Sequence, residues 1–98
     1  MAKVQIGRLE VEVPEATLWD AERLTETERL FDGKSLDPYI AAILLLTQEA
    51  NPGLDAEKIK RALPFFGVAG RLIGAYRDVL AAAGIIAPGG EPGEAPRP

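Results

Sequence analysis

Lys3-Val4-Gln5-Ile6-Gly7-Arg8-Leu9-Glu10-Val11-Glu12-Val13 sets the fold class of this 98-residue chain. Val4 and Ile6, then Leu9, Val11 and Val13, alternate with Lys3, Gln5, Arg8, Glu10 and Glu12. A period of two built on β-branched residues is the pattern of a half-buried strand. Gly7-Arg8 interrupts it, and glycine first in a two-residue loop marks a type II′ hairpin turn. The reading is a short hairpin with strands over Lys3–Ile6 and Leu9–Val13. Such a hairpin is marginal alone in water, so its apolar face must lie on helices or pair with another chain's strand.

Beyond the hairpin the spacing becomes helical. Pro14 ends the second strand, and Thr17 or Glu15 opens a first helix with Leu18, Trp19, Ala21 and Leu24 as its expected inner face. The periodicity slips at Thr25, where Thr25 and Glu28 have capping-box spacing. One continuous helix, or two short ones with the second carrying Leu30 and Phe31, fits these residues equally. Asp32-Gly33 closes the region, glycine supplying a left-handed C-terminal position. Asp37 as N-cap with Pro38 at the first helical position opens a second helix, through Tyr39, Ile40, Ala41, Ala42, Ile43, Leu44, Leu45 and Leu46 to about Ala50. That helix is apolar nearly all round, which in a soluble protein means central burial or a subunit interface.

Asn51-Pro52-Gly53 is a stop signal. Asp55 caps a third helix, Leu54 and Ile59 form its hydrophobic staple, and Pro64 ends it by disfavouring helical backbone at Leu63. A fourth helix is expected from Pro64 or Phe65 to Ala83, with Phe65, Ala69, Leu72, Tyr76, Val79 or Leu80, and Ala83 as its inner stripe. Gly84 ends it, with Ile85-Ile86 folding back in a Schellman-type cap. The sum is an α+β fold, mostly helical: an N-terminal hairpin packed on a bundle of about four helices, one domain over residues 1–86. In residues 87–98, seven of twelve are Pro or Gly and none is large and apolar, so a disordered tail is expected there.

Composition narrows the function. The chain has no cysteine and no histidine, which excludes disulfides, zinc fingers, thiol nucleophiles and His-based acid–base or metal chemistry. Its longest nearly unbroken apolar run, Tyr39 to Leu46, falls far short of the roughly 20 residues that cross a bilayer. No basic, then apolar, then small-residue signal opens the chain, so a soluble, cytoplasmic protein without a membrane partner is expected.

Ser35, the only serine, follows Gly33-Lys34, but the earlier glycine and the strand-to-helix context of a phosphate-binding loop are missing. Carboxylate pairs such as Glu22/Glu26 and Glu26/Glu28 sit in an acidic stretch with the character of a solvated helix face. No carboxylate run has calcium-loop spacing. We therefore expect no enzyme, no catalytic residue, no cofactor and no metal site.

Charge is segregated. Glu10 to Asp37 holds nine acids against Arg23, Arg29 and Lys34, whereas Asp55 to Asp78 holds three acids against Lys58, Lys60, Arg61, Arg71 and Arg77. An acidic half repels a phosphate backbone and five separated cations make a thin footprint, so no nucleic-acid partner is expected. The segregation fits either a solvated surface or contact with a charged partner or another copy.

Gly67, Gly70 and Gly74 recur at spacings of three and four, largely opposite the expected apolar stripe of the fourth helix. Each glycine inside a helix costs about 1 kcal/mol relative to alanine, so something should pack closely on this smooth face. Two arrangements fit: a partner chain or second copy, or the second helix of the same chain. The expected protein-binding residues are these three glycines together with Tyr39, Ile43 and Leu46 of the second helix; the hairpin edge could also join chains by strand addition.

The order of segments adds a resemblance. Ala2-Lys3-Val4-Gln5-Ile6-Gly7 leads into Val11-Glu12-Val13-Pro14-Glu15-Ala16-Thr17 and an aromatic-bearing helix. An Asp37-Pro38-started apolar helix follows, then Asn51-Pro52-Gly53-Leu54-Asp55-Ala56-Glu57-Lys58-Ile59, then a long helix ending Val79-Leu80-Ala81-Ala82-Ala83-Gly84-Ile85-Ile86. Over most of residues 1–86 this resembles the small tail assembly chaperones of long-tailed bacteriophages and prophages, although each piece is common in isolation. The resemblance implies a non-enzymatic chaperone that binds the tape measure protein and keeps it soluble while tail tube subunits polymerise around it, tends to self-associate, and is absent from the finished virion. It also implies that a ribosomal frameshift near Pro88-Gly89-Gly90-Glu91 could append a second domain; a coding sequence without a slippery heptamer there would count against this. It carries over no site residue. Two other classes fit the same residues: a structural tail or head–tail adaptor protein of the virion, and a small helical regulator touching DNA phosphates through Lys58, Lys60, Arg61 and Arg71.

Overall fold

The structure, a computed structural model, describes residues 2–86, and the expected tail over 87–98 lies outside the described residues. It has a two-stranded antiparallel hairpin, β1 (Ala2–Ile6) and β2 (Leu9–Val13), followed by four helices: α1 (Leu18–Glu28), α2 (Asp37–Thr47), α3 (Ala56–Ala62) and α4 (Val68–Ala82). The α+β class with a hairpin on four helices is therefore as expected.

Ile6 pairs with Leu9 across the two-residue loop. Gly7 has a positive φ of 58° and Arg8 does not, the sign pattern of a type II′ turn. Alternation then places Val4, Ile6, Val11 and Val13 on one buried face. That face packs on α4 and α2, so helices of the same chain cover it. The turn is tied down too: the Arg8 N–H donates to the Ala62 carbonyl at the end of α3, at 3.0 Å.

Asn51 secures the free edge of β2. Its Oδ1 accepts from the Glu12 N–H at 3.0 Å, while its Nδ2 donates to the carbonyls of Glu12 at 2.8 Å and Thr47 at 2.6 Å. One side-chain amide thus substitutes for a neighbouring strand and also binds the end of α2. Replacing Asn51 by alanine should cost about 1–2 kcal/mol, the worth of a few partly solvated hydrogen bonds, read as a lower urea midpoint.

Helix ends follow their caps, with instructive exceptions. Thr17 caps α1, its side chain and that of Asp20 each accepting the other's backbone N–H in a capping box. The helix is continuous through Thr25, whose hydroxyl donates to the Ala21 carbonyl, so the open choice resolves to one helix. It ends at Glu28, leaving Leu30 exposed and Phe31 half-buried in a turn. Asp32 and Gly33 lie beyond that end and are not its cap: Asp32 accepts the N–H groups of Lys34 and Ser35, which hold its carboxyl below the usual carboxylate range. Only Leu24 of α1 is buried. Leu18 and Trp19, expected on its inner face, are 75% and 66% exposed, and the Arg23 guanidinium lies 4.2 Å over the Trp19 ring. A short helix laid against the bundle needs few inward residues.

In α2 the N-cap is Leu36 rather than Asp37, with proline in the first turn, and the helix stops at Thr47 rather than Ala50. Asp55 caps α3 through the Lys58 N–H, and the staple residues Leu54 and Ile59 are both buried. At the end of α4 the Ile85 N–H reaches the Leu80 carbonyl and the Gly84 N–H the Ala81 carbonyl, the hydrogen-bond pair of a Schellman cap. The expected start of α4 needs correction. It begins at Val68, and Phe65 and Ala69, assigned to the inner stripe, are exposed; Leu72, Tyr76, Val79, Leu80 and Ala83 are buried as expected.

Candidate interaction surface

The late start of α4 creates the most distinctive surface of the molecule. Pro64 holds Leu63 in extended backbone (φ −94°, ψ 120°), which ends α3. Gly67, with a φ of 66°, takes the left-handed conformation immediately before α4. Between these two breaks Phe65-Phe66 cannot be helical and forms a turn, closed by the Val68 N–H on the Phe65 carbonyl at 3.1 Å. The two rings are 91% and 86% exposed. The Arg71 Nε donates to the Phe66 carbonyl at 3.0 Å, tying the turn to the start of α4.

Beside Phe65 lies a groove of about 420 Å³ where the start of α2, the end of α3 and the start of α4 converge. Leu36, Ile40, Leu63, Val68 and Leu72 supply its walls and Phe65 its lip. Its polar residues are Asp37 and Lys60, which pair with each other at 3.1 Å across the rim. Exposed rings next to an aliphatic groove suit the capture of apolar side chains.

Of the six expected binding residues, three face outward and three do not. A Cβ built on Gly67, Gly70 or Gly74 would meet no heavy atom within 4 Å. The glycine face is therefore open, and packing against α2, one of its two possible explanations, is not what the fold does. By contrast Ile43 and Leu46 are buried in the core of the chain itself. Tyr39 is half-buried, stacked on Phe31 at 4.2 Å and edge-on to Tyr76 at 5.6 Å. The Tyr76 hydroxyl donates to Glu28 at 2.7 Å, and burial pushes its pKa above the usual phenol range. This cluster joins α1, α2 and α4 and is structural. Phe66, Leu63 and Val68 were missed as surface residues, although Pro64 and Gly67 bracketing two aromatics was a signal that they sit in a turn.

Because Gly70 and Gly74 have no neighbour to clash with, Gly70→Ala and Gly74→Ala should each stabilise the isolated domain by about 0.5–1 kcal/mol. A raised melting temperature would check this.

Among the described residues no helix is long and apolar enough to cross a membrane, and no group of three or more metal-ligating side chains assembles. No protein-family model, no curated protein and no solved structure matches this chain.

Proposed function

We propose that this chain is a non-enzymatic binding protein of the tail assembly chaperone type, holding an apolar segment of a tape measure protein in solution while tail tube subunits assemble around it. The observation that carries this reading is the Phe65-Phe66 turn: two nearly fully exposed phenylalanines, the first at the lip of an aliphatic groove, with the Phe66 carbonyl bonded to Arg71. Keeping two large rings in water is unfavourable, and aromatic anchors beside a pocket are typical of residues that dominate binding. The open glycine face extends the surface along α4 and lets a bound segment approach the backbone. The acidic α1 adds solubility to a chain with a net charge of −4. The site of action on this reading is the bacterial cytoplasm, and the protein leaves before the virion is complete.

Co-expression with the candidate tape measure protein tests it. That protein should remain soluble only when this chain is present, and Phe66→Glu should abolish the effect without unfolding the domain. Unchanged solubility would sink the proposal. Mass spectrometry of purified particles that finds the chain as a stoichiometric component would favour a structural virion protein instead.

A further inference from the structure

The far end of α4 carries a second surface, about 20 Å from the Phe65 groove, roughly the length of this 15-residue helix. A helix gathers partial negative charge at its C-terminus, and a cation in the last turn is stabilising there. The last turn of α4 has no basic residue. The Ala83 carbonyl accepts the Ala16 N–H at 2.9 Å, but the Ala82 carbonyl accepts no hydrogen bond among the described residues. A pocket of about 280 Å³ opens at this point, lined by Ala2, Val13, Glu15, Ala82, Ala83 and Gly84. Glu15 is the one ionisable residue in its wall. A carboxylate and the negative end of a helix therefore share one small cavity with no cation lining it.

Apolar anchors stand next to that cavity. Ala16 is bonded to α4 beside it, and the exposed Leu18 and Trp19 follow at the start of α1. From Glu15 to Glu28 five acids face a single cation, Arg23. Arg23 is already engaged, stacked over the Trp19 ring and paired with Glu26 at 3.3 Å. Two large apolar side chains in an acidic field select a partner that carries both apolar and cationic groups. We propose that this surface docks a cationic amphipathic segment of another protein, its apolar side chains on Leu18 and Trp19 and a lysine or arginine in the Glu15 pocket. The function proposed above uses the other end of α4, so neither reading rests on the other.

Charge decides among the occupants. A purely apolar segment leaves Glu15 and the end of α4 unanswered, and it suits the groove, whose rim charges already pair with each other. A phosphate backbone or an anionic membrane is repelled by the acids of α1. A long cationic side chain satisfies both requirements of the pocket, laying its aliphatic stem along Val13 and Ala82 and its charge against Glu15. Because these charges are solvated, the contact should be salt-sensitive.

Trp19 is the chain's only tryptophan, so its emission reports on this surface directly. The probe is a helical peptide of leucine and lysine, about 18 residues or five turns long, titrated into the full chain. Trp19 emission should move to shorter wavelength as the peptide binds, and the same peptide with glutamate for lysine should cause no shift. Leu18→Ala should raise the dissociation constant by about tenfold and Glu15→Gln by about fivefold, with unchanged circular dichroism spectra. Glu57→Gln removes the same charge elsewhere. The bond from Arg8 to Ala62 puts α3 at the turn of the hairpin, whereas Ala2 and Val13 put the pocket at its open end. That variant should bind the peptide as the wild type does.

No emission shift with the leucine–lysine peptide, an equal shift with the glutamate peptide, or equal losses from Glu57→Gln and Glu15→Gln would each overturn the proposal. So would a Trp19 emission that shifts when the chain alone is concentrated, since a second copy would then cover the surface. Phe66→Ala separates this site from the groove and should leave peptide binding unchanged. Binding lost in that variant would place the peptide at the groove and remove the second site. A tape measure protein that stays insoluble while the peptide still binds removes the function and leaves the cationic partner standing.

Discussion

Gly7→Ala should be among the most destabilising single substitutions in the domain. A Cβ at Gly7 would lie 2.1 Å from the Ala62 carbonyl oxygen and 2.8 Å from its carbon, distances at which backbone must move. The same residue holds a φ of 58°, which L side chains adopt with strain. Overpacking of about 1–3 kcal/mol and backbone strain of about 1–2 kcal/mol act together, for a loss of about 2–5 kcal/mol. Moving the hairpin away from α3 would also break the hydrogen bond from Arg8 to Ala62. Against a total stability of about 5–15 kcal/mol for a small domain, that is a large fraction of the margin. Urea denaturation checks it, with Gly33→Ala as the comparison. Gly33 has a similar φ of 73° but no heavy atom within 4 Å of a built Cβ, so only the backbone strain of about 1–2 kcal/mol should appear. Equal effects at the two positions would mean that the approach to Ala62 does not matter.

The second large effect should come from Ile43→Ala. Ile43 is fully buried in α2, the helix that touches α1, α3, α4 and β2. Truncation leaves a cavity that a helix packed on several sides cannot collapse into, with an expected loss of about 3–4 kcal/mol. The urea midpoint should fall at unchanged slope. Phe66→Ala should change stability by less than about 0.5 kcal/mol, because its ring touches little of its own chain. The pair therefore separates fold from surface. If Ile43→Ala left stability intact while weakening association, α2 would have to be exposed in the working state.

Much of the architecture was legible because it depends on short-range chemistry. The hairpin register follows from alternation and one glycine; Thr17 and Asp55 follow from the geometry that lets a short side chain reach a free N–H. The site was legible only in part. Periodicity states that a helix has an apolar side, but α2 is apolar on all sides, so nothing local distinguished Tyr39, Ile43 and Leu46 as core from the same residues as interface. Their burial depends on how much of one helix the rest of the chain covers: Ile43 and Leu46 are buried and Tyr39 half-buried, while Ala41 is exposed. Phe65 was misplaced for a related reason: its spacing to Ala69, Leu72 and Tyr76 suits a helix that Gly67 prevents from extending back that far.

The amino-acid order therefore settled the elements, their caps and the poverty of reactive groups, since each of these is written in residue types a few positions apart. Folding in three dimensions assigned inside and outside. It buried the helix that looked most like an interface, opened the glycine face of α4, and raised two phenylalanines on a turn beside a groove built from three separate helices. Covering one apolar surface with another is a long-range competition among all the elements, and only the packed chain resolves which surface remains uncovered.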